Sequence, residues 1–315
     1  MLQLQDSSSL IGDRDALLGR LSVDGYLYFR AALPPAMMRA AGQTIDRQLR
    51  AGGWSAGPGG PQAATFREAL ADPAFRKATI SPAFNHIPYL PPLRRLIRGL
   101  LGPQAFSYPA KVLRAVHPEA PAGLGGLDGF RWRGRRAGAR PGRPRGRYVH
   151  YDYAVGGVQD MLTTWVPLMD IPVQLGGLAV QPGGHLAGPR PPRVLGLREP
   201  GWASTGYHPG DVIVFHCLTP HAALPNHGAE LRLSADFRWQ RADQPAPREL
   251  VTGPAGRPAE VFGRLFRDEP WWEPVPDQLT LCPRAELAAV PPGPSRFFPV
   301  HPGWQRWHLP ADAVH

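Results

Sequence analysis

The sequence predicts a mainly β fold with flanking α-helices. From Ala105 to about residue 242, short alternating runs are separated by Gly and Pro, the pattern of an all-β barrel or sandwich. The stretch before it reads as helical, broken by one short extended piece. A hydrophobic fraction of 43% is enough for a sizeable core, and 315 residues is within reach of one decorated β domain. We therefore read residues 1–315 as a single domain. It has a helical N-terminal region over 1–105, a core over 106–242 carrying a basic insert at 120–147, and a Pro/Trp-rich tail over 243–315.

Taken in order, residues 14–50 are helical except for "DGYLYFRAAL" (Asp24 to Leu33), whose aromatic alternation predicts a strand. "PPAMMRAAGQTIDRQLRAGG" opens with prolines, suited to a helix N-terminus, and stops at Gly52-Gly53. Residues 54–64 form a Gly/Pro loop, and 65–101 carry one or two further helices. "AFSYPAKVLRAVHP" begins the strand-rich region. After Pro245 the chain becomes a packed but irregular tail, with Trp271 and Trp272 expected as packing residues.

Composition excludes several classes. No apolar run is long enough for a membrane span. The N-terminus lacks the basic and apolar regions of a secretory signal, and Cys217 and Cys282 form no CxxC, so a reducing cytoplasm is the expected location. The net charge of +10 raises nucleic acid as a partner. The excess charge, however, is concentrated between Arg131 and Arg147, where Trp132 is the one aromatic rather than a series of interleaved stacking residues, which argues against it.

The chemistry begins at "RYVHYDYAVGG", Arg147 to Gly157. In a strand, His150 and Asp152 point to one face while Tyr151 points to the other. An imidazole and a carboxylate aimed at one point are two thirds of a metal site. His216, His221 and His227 follow the strand "DVIVF" and are candidates for the third ligand. Along "LRLSADFRWQ", Arg232, Ser234, Asp236 and Arg238 share one face. On an open sheet that face would be solvated. In a barrel it points inward, where an unpaired charge is costly. A carboxylate ligand would satisfy both the Arg232 fork and the Ser234 hydroxyl.

These features together resemble the phytanoyl-CoA dioxygenase family of Fe(II)/2-oxoglutarate oxygenases over about residues 20–242. "HYD" matches the family's H-x-D pair. "TTWVPLMDIPVQLGGLAVQPGGH" and "HPGDVIVFHCLTPHAALPN" are similar to its following segments, and "RLS" matches its R-x-S. The resemblance implies a double-stranded β-helix (jelly-roll, cupin-like) core. It implies His150, Asp152 and His221 as iron ligands, and Arg232 and Ser234 as the grip on the far carboxylate of 2-oxoglutarate, with Thr164 a further candidate there. His216 is then assigned to the wall, His227 to an exposed turn, and His185 to a structural or substrate-facing role. Arg238 is expected to pair with an acidic neighbour.

Two histidines and one carboxylate leave three metal positions open, as suits non-haem Fe(II) oxygenases. The reaction implied is oxidative decarboxylation of 2-oxoglutarate to succinate and CO₂ with O₂, coupled to oxidation of an unactivated C–H. Asp152 argues against halogenation, because halogenating relatives carry Gly or Ala there. The expected substrate is a small or carrier-bound metabolite. The eight arginines between Arg131 and Arg147 suggest an anionic one if the insert acts as a lid; the alternative is a passive insertion. The competing functions are a non-catalytic or metal-independent jelly-roll binding protein, against which intact His150, Asp152, His221 and Arg232 count, and a cupin-like isomerase or hydrolase that uses metal without 2-oxoglutarate, against which the Arg232/Ser234 pair counts.

Overall fold

Prolines and caps set the helical boundaries. The computed structural model of the chain describes residues 1–55, 66–118, 149–153, 157–188, 201–252, 258–289 and 295–297. Helix α1 (Arg14–Asp24) starts at Asp13, whose carboxylate accepts from the Ala16 N–H, and ends at Gly25 with φ of 76°. Helix α2 (Pro35–Ala51) begins with proline at its first turn. Where the sequence suggested one or two helices over 65–101, the structure has four: α3 (Phe66–Ala71), α4 (Pro73–Thr79), α5 (Pro82–Asn85) and α6 (Pro91–Leu101). Pro73, Pro82 and Pro91 each open a new segment, and Asp72 and Ser81 cap two of them.

The strands form two facing sheets. The shorter contains β1 (Leu2–Gln3) and the larger contains β2 (Tyr26–Phe29). Next come β3 (Ala105–Ser107), β4 (Val112–Val116), β5 (Leu162–Pro167) and β6 (Leu178–Val180). They are followed by β7 (Ala203–Ser204), β8 (Val212–His216), β9 (His221–Ala223) and β10 (Arg232–Arg241). The larger sheet runs β2-β8-β5-β10-β3, with β4 also paired to β10; the shorter runs β1-β7-β6-β9. Among the described residues neither sheet closes into a barrel.

Period-2 alternation sorts the larger sheet's side chains into two layers. Leu27, Phe29, Leu162, Val166, Leu233, Phe237 and Trp239 face the helices and pack with Leu21, Met38, Ile45, Leu93 and Ile97. Tyr26, Tyr28, Trp165, Ile213 and Phe215 face the shorter sheet and meet Leu178, Val180 and Ala203. Each large apolar side chain buried this way contributes roughly 1.5–3 kcal/mol. The polar face of β10 is therefore turned inward, between the sheets. This is the expected jelly-roll core with flanking helices.

The tail is more regular than the sequence suggested. Strands β11 (Ala246–Pro247) and β12 (Leu281–Cys282) pair in parallel, and three helices accompany them: α7 (Arg248–Thr252), α8 (Pro258–Phe266) and α9 (Arg284–Ala289). Trp271 and Trp272 pack against Tyr89, with ring centroids 5.6 and 5.4 Å away. Among the described residues no helix is long and apolar enough to cross a membrane.

Candidate active site

His150 and His221 are joined by a single antiparallel bridge. The His150 N–H donates to the His221 carbonyl at 3.1 Å and the His221 N–H returns the bond at 2.9 Å. Their rings lie 4.2 Å apart. His150 and Asp152 do not lie together on a regular strand as the spacing suggested, because the chain turns at Asp152. The Tyr153 N–H donates to the Cys217 carbonyl at 2.8 Å and draws this turn against the end of β8. The three side chains converge nonetheless. One donor atom from each of His150, Asp152 and His221 lies within 4.8 Å of the others, and all three residues are buried.

The protonation states suit a metal. Burial holds both imidazoles below their ordinary pKa, His150 strongly so with His221 beside it, which keeps them neutral and able to ligate. The His221 Nδ1 lies 3.0 Å from the Thr219 carbonyl, so Nδ1 carries the proton and Nε2 is left for a metal. Burial alone would raise the Asp152 carboxyl, but the Arg238 guanidinium, paired and hydrogen-bonded to it, outweighs this and holds the group well below the usual carboxylate range. An anionic oxygen and two neutral nitrogens at one buried point fit a divalent non-haem iron.

Arg232 and Ser234 extend from β10 into the same interior. Arg232 is 1% exposed and its Nη1 donates to backbone carbonyls: Gly176, Gly177 at 3.4 Å and Leu224 at 3.3 Å. Gly176 is required for this approach, since its φ is +66° and a Cβ would lie 2.1 Å from the Pro225 carbonyl. Among the described residues Arg232 has no carboxylate partner, and its Nε and the Ser234 Oγ are buried without a hydrogen bond. Burial and nearby Arg114 pull the guanidinium down to about 9, still cationic at neutral pH. A buried cation beside an unsatisfied hydroxyl fits a carboxylate ligand.

Thr164 does not join this group. It shares the helix-facing side of β5 with Leu162 and Val166; its hydroxyl donates to the Phe237 carbonyl at 3.3 Å and accepts from Trp239 Nε1 at 3.1 Å. Its neighbour Thr163 faces the site instead and donates to Asp152 Oδ2 at 2.5 Å. Sequence reasoning missed Thr163, although the apolar partners of Thr164 at i±2 were the available signal. Arg238 has an acidic partner, as expected, and that partner is Asp152, with Nη2 2.9 Å from Oδ1. Arg114, which no sequence motif singles out, donates through Nε to Asp236 Oδ2 at 2.6 Å inside the same sheet.

His216 is wholly buried, ends β8 on the helix-facing side, and lies 5.5 Å from the ring of Phe297. His185 is also buried, with Nε2 3.0 Å from the Ser22 carbonyl. His227 is exposed. The insert 120–147 lies outside the described residues.

Comparison with known proteins agrees with this geometry. The family model described as phytanoyl-CoA dioxygenase (PhyH) matches residues 21–234. The chain is 26% identical over 265 residues to 1-deoxypentalenic acid 11-beta-hydroxylase of Streptomyces exfoliatus, covering 75% of this chain and 84% of that one. Its fold is similar to the non-heme monooxygenase ThoJ in its nickel complex, at TM-score 0.50 and 18% identity over 73% of this chain and 82% of that one. It is also similar to EctD from S. alaskensis with 2-oxoglutarate and 5-hydroxyectoine, at TM-score 0.50 and 16% identity over 85% and 88%. With the family model spanning most of the sheet core and the converging His150, Asp152 and His221 side chains, the chain belongs to the phytanoyl-CoA dioxygenase family and is an oxygenase dependent on Fe(II), 2-oxoglutarate and O₂.

Proposed function

We propose that the chain oxidises an unactivated C–H of a small organic metabolite, with His150, Asp152 and His221 holding Fe(II) and with Arg232 and Ser234 binding the far carboxylate of 2-oxoglutarate. The observation that carries this reading is the convergence of the three donor atoms within 4.8 Å inside the sheets. When bound, iron with 2-oxoglutarate and O₂ supplies the oxidising power, releasing succinate and CO₂. The protein's own role is to bind and orient. Arg232 and Ser234 offer a charge-assisted anchor that a hydrophobic wall could not. Burial of the cluster excludes water from the reacting centre.

A small-molecule substrate is supported by the relative, whose name makes it a hydroxylase of an organic acid. An anionic or carrier-bound substrate is the finer proposal, and the eight arginines between Arg131 and Arg147 support it. A reducing, cytoplasmic setting is supported by two unpaired cysteines, Cys217 being buried. Reading the chain as one oxygenase unit is supported by Val251 and Phe297 from the tail, which join the same apolar core as Leu27 and Leu93.

The test is anaerobic titration with Fe(II) and then 2-oxoglutarate, following the visible metal-to-ligand charge-transfer band, and then admission of O₂ with candidate substrates while succinate is measured. Absence of the band at saturating cosubstrate would remove the reading. Replacing Arg135, Arg136, Arg140 and Arg143 with Ser tests the anionic proposal. It predicts weaker, less salt-dependent substrate binding with little change in uncoupled 2-oxoglutarate turnover.

A further inference from the structure

The Asp152 carboxylate is held at both ends by the protein. Arg238 Nη2 lies 2.9 Å from Oδ1, and Thr163 Oγ1 donates to Oδ2 at 2.5 Å. The two donors come from adjacent strands, and Arg238 of β10 sits directly opposite Thr163 of β5 in the register. Neither is an accidental surface contact: Arg238 is 3% exposed, Thr163 1% and Asp152 1%. Among the described residues neither Arg238 nor Asp152 makes another ion pair.

We propose that Arg238 and Thr163 are positioning residues that clamp Asp152, each tying one carboxylate oxygen to the sheet, so that the fixed carboxylate plane presents a single oxygen to the metal. The inference rests on the reading of Asp152 as an iron ligand. A free carboxylate rotates about Cβ–Cγ and can close on a metal with both oxygens, and each extra oxygen removes an open coordination position. A carboxylate with a charge-assisted bond on one oxygen and a short hydroxyl bond on the other has its plane fixed before the metal arrives. Two histidines and a carboxylate leave positions for cosubstrates only if the carboxylate gives a single donor. Asp152 lies in a turn rather than a regular strand, so its backbone alone does not fix the side chain. The clamp supplies that fixation from the rigid larger sheet.

The test uses the full chain with Thr163→Val, Arg238→Gln, Arg238→Lys and Asp152→Ala. Fe(II) affinity is measured anaerobically by chelator competition, and the visible d–d spectrum of the Co(II)-loaded protein reports coordination number. Thr163→Val and Arg238→Gln are expected to weaken Fe(II) binding about 10–100-fold and to change the intensity of the Co(II) bands. Arg238→Lys should recover a fraction of both. If Thr163→Val melts like the wild type but keeps its Fe(II) affinity and Co(II) spectrum, the clamp is overturned, and this holds even if Arg238→Gln fails to fold. Asp152→Ala separates the two readings. Loss of iron there with wild-type behaviour in Thr163→Val removes only the clamp, whereas retained iron affinity removes Asp152 as a ligand.

Discussion

Thr163 and Thr164 are neighbours in the chain and face opposite sides of the same sheet, the first bonded to Asp152 and the second to Trp239. This places the hydroxyl of Thr164 among the helix-packing residues, on the opposite face of the sheet from Asp152. Thr164→Val is therefore expected to leave the KM for 2-oxoglutarate unchanged. It should lower stability by about 1–3 kcal/mol, because the buried Trp239 Nε1 loses its acceptor. Steady-state kinetics paired with urea melts check both effects; a KM raised several-fold would return Thr164 to the site.

Removing any one of the three converging side chains leaves too few donors for a buried iron. His150→Ala, Asp152→Ala and His221→Ala should each abolish turnover and leave anaerobically loaded protein with little iron. His216→Ala should retain iron, because His216 lies on the helix-facing side of β8. Metal analysis of the four variants decides this. An iron-free His216→Ala beside an iron-replete His221→Ala would exchange their roles.

Arg232 is a buried cation whose Nη1 is held by backbone carbonyls. Arg232→Ala should raise the KM for 2-oxoglutarate about 30–150-fold, corresponding to roughly 2–3 kcal/mol for a lost charge-assisted contact, with iron binding intact. Arg232→Lys should recover only a fraction of this, since an ammonium does not reproduce the fork. Ser234→Ala should cost less, on the order of 1 kcal/mol or about fivefold. An unchanged KM in Arg232→Ala would shift the anchor to another interior arginine, with Arg114 the first to test.

Lys111 is buried under an aromatic cluster, with Nζ 3.2 Å from Asn85 Oδ1 and 4.9 Å from the centre of the Phe262 ring. Burial lowers its pKa from an ordinary 10.5 to about 7. Between these values the unfolded chain holds a proton that the folded chain has released. Stability therefore rises with pH across that window, and below it the full cost of a buried charge is present. Lys111→Met should flatten this dependence and add on the order of 1–4 kcal/mol below pH 7. Urea melts of both proteins at pH 6 and pH 9 give the comparison. Equal slopes with pH would show that Lys111 stays charged when folded.

Apart from the inward turn of the polar face of β10, which alternation alone leaves open, the helix-then-strand order over residues 14–242, the two-faced pattern of β10 and the proposed site residues His150, Asp152, His221, Arg232 and Ser234 are legible in the sequence. They are written in local signals: period-2 alternation, Gly/Pro punctuation and short motifs of fixed spacing. The sequence suggested one or two helices over 65–101, and the prolines at 73, 82 and 91 divide that stretch into four, each ending one segment and starting the next. Only the tertiary structure decided which distant groups meet. Arg238 lies 86 residues from Asp152, and Arg114 lies 122 from Asp236. Neither pairing has a local signature, because it depends on strand order and register, which are set by packing between the two sheets and the helices. The same register decided the two threonines. Alternation says that Thr163 and Thr164 diverge, but which of them meets Asp152 follows from pairing Thr163 with Arg238 across β5 and β10.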